Sequence, residues 1–321
     1  MTGMPERFEI LTAGFYLFIQ AKRRPLAFAA MMFWSMVLTA ALIGLWAAIF
    51  IPLGASENAA GELTTEIDPW LVPALLTIFV TIALYFLLIY TGWNRFLVEA
   101  RLPALIPFRL GADEGRTVVV AIVHWVLAMG AYLVLMIPIL IVMAVVIAAS
   151  TAAGAGEPGE LSAAQSALLL LIYPVILVGG MLLAVKMFPA YAMTILEKRI
   201  VIFDSWAATK GVLWSAFVST LIPLVFTVIF QIVAVVVQVS ITRMSAPAGY
   251  DNEAIALSDY ADPALLVPLV IAVLISGVLW VIMIAMSLGP YAYMAVWHDR
   301  NRQYREPQMA PLTPLTPSDS P

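Results

Sequence analysis

The chain has 321 residues, 63% hydrophobic and 11% charged, with a formal net charge of −4. Ordinary soluble domains are roughly half apolar and a quarter charged, so this composition lacks the polar surface to cover a water-soluble globule and points to the bilayer as solvent. The absence of cysteine excludes disulfides and thiolate metal sites, and His124 and His298, the only histidines, cannot build a histidine-rich metal centre in one chain.

Residues 1–24 precede any apolar run. Phe8, Leu11, Phe15 and Phe18 recur at helical spacing, with Glu6, Arg7, Glu9 and Gln20 mostly off that stripe. Lys22-Arg23-Arg24 follows, and Pro25 suits the first turn of a new helix. The segment reads as a cytoplasmic amphipathic helix lying on an anionic leaflet. The apolar run behind it far exceeds the ~7–15-residue core of a secretory signal peptide, so an uncleaved spanning helix is expected.

Apolar runs at 26–53, 70–91, 117–149, 167–188, 212–240 and 265–296 each reach the ~20 residues that cross about 30 Å of hydrocarbon. The expected fold class is all-α integral membrane. Six transmembrane helices over 25–298 would form three helical hairpins, with amphipathic interfacial helices at the cytoplasmic entrances. The loops at 54–69, 150–165 and 241–263 are short, acidic and rich in Gly, Ala and Ser, too small for a folded domain. Residues 299–321 read as a disordered cytoplasmic tail, proline-rich from Pro307 onward.

Basic residues set the orientation. Fifteen of the sixteen lie before the first run, between runs two and three, around the loop between runs four and five, or after run six; Arg243 alone falls opposite. The other loops carry Glu57, Glu62, Glu66, Asp68, Glu157, Glu160, Asp251, Glu253, Asp259 and Asp262. By the positive-inside rule both termini are cytoplasmic, in a bacterial-type inner membrane.

Lys198–Gly211, leading into the run that starts at Val212, reads as a short amphipathic entry helix closed by Lys210 and Gly211. Looser versions of the arrangement occur at Phe8–Pro25 and Pro103–Thr117. Such recurrence suits a folding and anchoring device. Lys22, Arg23, Arg24, Lys198, Arg199, Lys210 and Trp206 are accordingly the candidate lipid-headgroup anchors.

Ionisable or polar groups inside an apolar run are functional candidates by default. His124 lies eight positions after Arg116, about 12 Å into run three, where a hydrogen bond to a neighbouring helix is the plainer expectation and a proton relay the sharper one. Gln231 and Gln238 share one face of run five and suit interhelical amide bonds, or a polar path. Lys186 can snorkel to the headgroups. Arg95 and Glu99 form an i,i+4 pair expected to anchor the end of run two.

Motifs for zinc peptidases, α/β-hydrolases, phosphate-binding loops and dinucleotide binding are absent. No carboxylates pair well inside an apolar run for acid–base work. No enzyme, cofactor or nucleic-acid role is expected.

Ser205, Trp206, Lys210 and Gly211, in a Ser-Trp-x-x-x-Lys-Gly element before a long apolar helix, resemble a family of largely uncharacterised bacterial inner-membrane proteins. That family is grouped with the membrane domain found beside some glycerophosphodiester phosphodiesterases. Phe108–Arg116 is similar to a second family element. The likeness implies an integral-membrane role near lipid metabolism; it does not imply that hydrolysis, because the catalytic domain has no counterpart expected here. The leading expectation is a non-enzymatic lipid-contacting, assembly or regulatory component, with anionic lipids, a protein partner or a second copy of the chain as partners. The alternative is a transporter of a small or amphipathic molecule, with His124, Gln231 and Gln238 along its path.

Overall fold

The computed structural model describes residues 7–60, 71–99, 107–108, 110–152, 163–245 and 263–305. Among them the helices are α1 (Ile10–Gly14), α2 (Tyr16–Arg23), α3 (Pro25–Ala60), α4 (Leu71–Val98), α5 (Ala112–Ala152), α6 (Ala163–Met187), α7 (Pro189–Glu197), α8 (Asp204–Ala208), α9 (Leu213–Ser245) and α10 (Pro263–Arg305). Six stretches are long and apolar enough to cross a membrane: Pro25–Trp46, Val72–Val98, Ala112–Val146, Ile176–Glu197, Leu213–Val237 and Val270–Arg302. The described residues form helices and no strands, and the six candidate spans suggest a multi-pass membrane protein.

Run four does not end at 188. Pro189 has no N–H and interrupts the ladder, but Phe188 keeps helical angles (φ −65°, ψ −28°), and the helix resumes at once as α7. Residues Pro189 to Ile195 of α7 are all buried, so this segment is core rather than interface. The entry stretch after it is helical only over Asp204–Ala208, shorter than the expected Lys198–Gly211. Lys198 stops α7 in the left-handed region at φ 55°, and Ile200-Val201-Ile202 is poor helix material. Thr194 then fixes the turn: its hydroxyl donates to Val201 O at 3.3 Å and accepts from Val201 N at 3.0 Å.

At the third proposed entrance, α5 starts directly at Ala112, while residues 100–106 and 109 lie outside the described set. α10 runs on to Arg305, seven residues into the expected tail. The proline-rich part of that tail, and residues 61–70, 153–162 and 246–262 of the other loops, also lie outside the described residues.

The core sits at one end of the bundle, the end that carries Arg24, Arg95 and Lys198, called here the basic end. α10 is its centre: it packs most extensively on α9 and also meets α1, α2, α3, α4 and α7. Leu17, Met31, Trp93, Phe96, Met193 and Met286 are among the buried residues of the main cluster. α3 and α4 run antiparallel. Their register is pinned by Trp93 Nε1 donating to Ser35 Oγ (3.2 Å), by the Thr39–Tyr85 hydroxyl bond (2.9 Å), and by Trp46 Nε1 donating to Thr81 Oγ1 (3.2 Å). Bonds of this kind add about 0.6 kcal/mol each in a membrane protein.

Toward the other end, α5 exposes Leu133, Val134, Ile141 and Val145, and α9 exposes Val225, Ile232 and Val236. Faces of this kind need a hydrocarbon solvent or another protein.

The apolar stripe expected to face lipid at residues 8–18 is divided. Phe8 stacks edge-on against Tyr293 and Trp297, and Phe15 against Phe226. Leu11 and Phe18 remain exposed, by 69% and 42%. The docked face of α1 and α2 is Ala13, Gly14, Tyr16, Leu17 and Gln20. Gly14 makes this possible: a Cβ there would lie 2.4 Å from Ile222 Cδ1 of α9. Gly289 of α10 passes under the backbone of Leu17, where a Cβ would lie 3.5 Å from the Leu17 nitrogen. Small residues let helices approach in this way.

Candidate functional site

Two neighbouring features at the basic end concentrate the protein's polar groups. The first is an ion network that joins α4, α5 and the turn after α7. Arg95 of α4 is buried, and its side chain is only 2% exposed. Its Nη2 donates to Glu114 Oε1 at 2.6 Å and to Asp113 Oδ2 at 3.3 Å, and its Nη1 to Pro107 O at 3.4 Å. The expected Arg95–Glu99 helix pair is replaced: Arg95 turns to the first turn of α5, and Glu99 takes Lys198 instead (2.5 Å).

Lys198 Nζ also reaches Asp113 Oδ2 at 3.2 Å, and Arg116 Nη1 donates to Asp113 Oδ1 at 2.9 Å. Three cations thus meet three carboxylates. The placement follows from local structure, because Asp113 and Glu114 favour the positive N-terminal end of α5. Arg95 Nε and Glu114 Oε2 have no hydrogen-bond partner among the described residues.

The second feature is a recess of about 280 Å³ between α2, the end of α4 and α10. Its polar lining is Tyr16, Gln20, Arg23, Arg24, Glu99 and Arg300. Leu97, Val98 and Val296 form the apolar part of the wall.

Arg24 donates to the carbonyl oxygens of Phe96 and Glu99 and, at 2.9 Å, to Gln20 Oε1, with its guanidinium 4.7 Å above the Phe96 ring. A helix leaves its last carbonyls unpaired, so Arg24 acts as a cationic cap on α4. Burial pulls the Arg24 pKa below its ordinary value, Tyr16 opposes that, and Arg23 adds to it. Burial raises the Tyr16 hydroxyl, against its hydrogen bond to Gln20 and the fields of Arg300, Arg24 and Arg23. Three guanidinium charges therefore bear on one phenol.

The remaining anchors take separate places. Arg199 bonds Asp204 Oδ2 and Glu197 Oε2, both at 2.7 Å. The Asp204 bond chiefly raises its pKa, against a smaller effect of burial and with help from Glu197. Arg302 approaches Glu197 Oε2 at 3.9 Å. Trp206 is 42% exposed, with Lys186 Nζ 5.4 Å from its ring centroid. Lys22, Arg23 and Lys210 are exposed.

The Ser-Trp-x-x-x-Lys-Gly element acquires a local explanation. Ser205 is buried and donates to Ile202 O at 2.7 Å. Gly211 supplies a positive φ of 85° at the turn into α9.

The intramembrane candidates do not come together. His124 is buried edge-on against Tyr191, with ring centroids 5.1 Å apart. Its ring nitrogens have no hydrogen-bond partner among the described residues, in place of the expected bond to a neighbouring helix. Its neighbour Tyr191 belongs to an aromatic group in which Tyr90, Phe188, Tyr191 and Tyr291 meet edge to face. Gln231 is on an exposed face of α9, and the side chain of Gln238 lies outside the described residues. No group of His, Asp and Glu that could hold a metal ion occurs among the described residues.

Sequence reasoning missed the Arg95–Asp113–Glu114 cluster and the recess. Its only signal was three charged residues bordering long apolar runs, which also fits plain interfacial anchoring. No protein-family model, curated protein or solved structure matches this chain.

Proposed function

We propose that this chain is a non-enzymatic, polytopic protein of a bacterial-type inner membrane, with both termini cytoplasmic. It contacts anionic lipid headgroups at its basic end and acts there as an assembly or regulatory component. The observation that carries this reading is the α1–α2 segment, which docks on α9 and α10 through one face and leaves Leu11, Phe18, Lys22 and Arg23 exposed on the rest. Exposed apolar and basic side chains together suit the headgroup boundary of an anionic leaflet. The skew of basic residues toward one set of loops supports the orientation.

The three-hairpin repeat, the interfacial role of the short helices and the likeness at Ser205–Gly211 to the phosphodiesterase-associated membrane family belong to the same proposal. A protein partner or a second copy of the chain would cover exposed faces of α5 and α9; nucleic acid has no place in the scheme.

The test is lipid carried through purification of the full chain and quantified by mass spectrometry. Enrichment of anionic over zwitterionic lipid relative to the source membrane is expected, and source-membrane proportions would overturn the reading.

A second reading, transport of a small or amphipathic molecule, draws on His124, a buried polar ring without a hydrogen-bond partner among the described residues. Cysteines introduced along α5 and α9 should react with water-soluble reagents if a path exists, and stay unreactive if it does not.

A further inference from the structure

The geometry points to the recess between α2, α4 and α10 as a binding site for a phosphate group, with the phosphodiester headgroup of an anionic phospholipid as its occupant. This deepens the lipid reading above and rests on it.

Arg23, Arg24 and Arg300 line one recess of about 280 Å³ together with the Tyr16 hydroxyl and the Gln20 amide. Guanidinium groups present planar, paired donors that match phosphate oxygens and remain charged at any working pH. The volume is near the ~300 Å³ lower bound of small-ligand pockets, enough for a headgroup and too small for a large soluble cofactor.

Negative charge in the wall is already engaged. Among the described residues Glu99 is the only carboxylate in the lining, and its Oε1 is taken by Lys198 at 2.5 Å. The three arginines divide the work. Arg24 is committed to the carbonyls of Phe96 and Glu99 and to Gln20, so it frames the recess. Arg23 is exposed, and Arg300 lines the recess from α10. The Arg23 charge bears on Arg24, and Arg300, Arg24 and Arg23 all bear on the Tyr16 hydroxyl, so the recess presents a positive field to an arriving anion.

The position favours a lipid as the source. Leu26, two residues beyond Arg24, is 86% exposed, and Phe18 on α2 is 42% exposed. Leu97, Val98 and Val296 line the recess itself. A molecule with phosphate at one end and hydrocarbon at the other would meet both surfaces.

The experiment uses the full chain in detergent, with native mass spectrometry and thermal unfolding as readouts. The probes are phosphatidylglycerol, phosphatidylcholine and, separately, inorganic phosphate and glycerol 3-phosphate. Arg23→Gln/Arg300→Gln removes two recess charges, and Arg7→Gln/Arg302→Gln removes two exposed charges outside it. The recess variant is expected to weaken phosphatidylglycerol binding about tenfold or more, and the control pair no more than about twofold.

Equal losses in the two variants would overturn the site while leaving the general lipid reading intact. No preference of the wild-type chain for phosphatidylglycerol over phosphatidylcholine, together with no binding of the soluble phosphates, would overturn both. Saturable binding of the soluble phosphates, abolished by the recess variant and with no lipid preference, would keep the phosphate chemistry and overturn the lipid source. Should the glutamine pair fail to fold, Arg23→Lys/Arg300→Lys keeps the charge and removes the paired donors. An intermediate loss is then expected, and unchanged affinity would count against the site.

Discussion

Lys198 Nζ and Glu99 Oε1 meet at 2.5 Å across 99 positions of sequence, and Lys198 has a left-handed backbone at the end of α7. A non-glycine residue at φ 55° carries a backbone cost of roughly 1 kcal/mol. Its two ion pairs, to Glu99 and Asp113, are half exposed on the lysine side, so they contribute at most about 1 kcal/mol each. Lys198→Gly should therefore be close to neutral, because relief of strain offsets the lost pairs. Lys198→Met keeps the strain, loses the pairs and should be clearly destabilised. Thermal midpoints of both variants in one detergent decide this; equal destabilisation would mean that the strain is not relieved by glycine.

Arg95 is the group whose loss should cost most. Arg95→Met leaves Glu114 buried without its cation and Asp113 with only Lys198 and Arg116, and breaking such a pair typically costs about 3–5 kcal/mol. Arg95→Met with Asp113→Asn and Glu114→Gln removes the uncompensated charge and should recover more than half of that loss. The measurement is a mutant cycle on chemical unfolding, and additive effects would show that the three groups are not coupled.

Gly14 should tolerate no side chain. In Gly14→Ala the new Cβ would fall 2.4 Å from Ile222 Cδ1 and 3.0 Å from Ile222 Cβ, so Ile222 must turn away and the helices give way by a few tenths of an ångström, at a cost of about 1–3 kcal/mol. The cysteine-free chain offers a direct readout, because Ala13 is fully buried. An Ala13→Cys probe should resist maleimide in the parent and react when Gly14→Ala is added, with Ile222→Ala restoring protection. Equal labelling of parent and variant would sink the docking argument.

Gly211 isolates backbone strain from packing. Nothing lies within 4 Å of a Cβ built there, yet its φ is 85°. Gly211→Ala should cost roughly 1 kcal/mol by conformation alone, and Gly211→Asn clearly less, since asparagine tolerates the left-handed region. Thermal unfolding of the pair checks the order; a larger loss for asparagine would contradict it.

Much of the architecture was legible in the residues. The apolar runs locate all six spans, Pro25 starts α3 where a proline-first helix should start, and Gly211 marks the turn into α9. Run four was cut short at 188, because Pro189 looks like a stop when only local chemistry is considered. Its buried neighbours on α4, α5 and α10 carry the helix past it to Glu197.

Hydrophobicity is a transfer free energy that each residue carries without reference to a partner, so the sequence alone determined an all-helical chain built for hydrocarbon. Partnership is different in kind. Arg95 has Glu99 one turn away and bonds Asp113 and Glu114 instead, while Glu99 takes a lysine from the far end of α7. Those choices depend on how far α4, α5 and α7 slide and turn against one another, which no single helix encodes. The recess follows the same logic: Arg23 and Arg24 converge with Arg300 only because Gly14 and Gly289 let α1 and α2 settle onto α9 and α10. The tertiary structure alone decided that meeting, because electrostatic and steric complementarity exist between surfaces and only once those surfaces are in register.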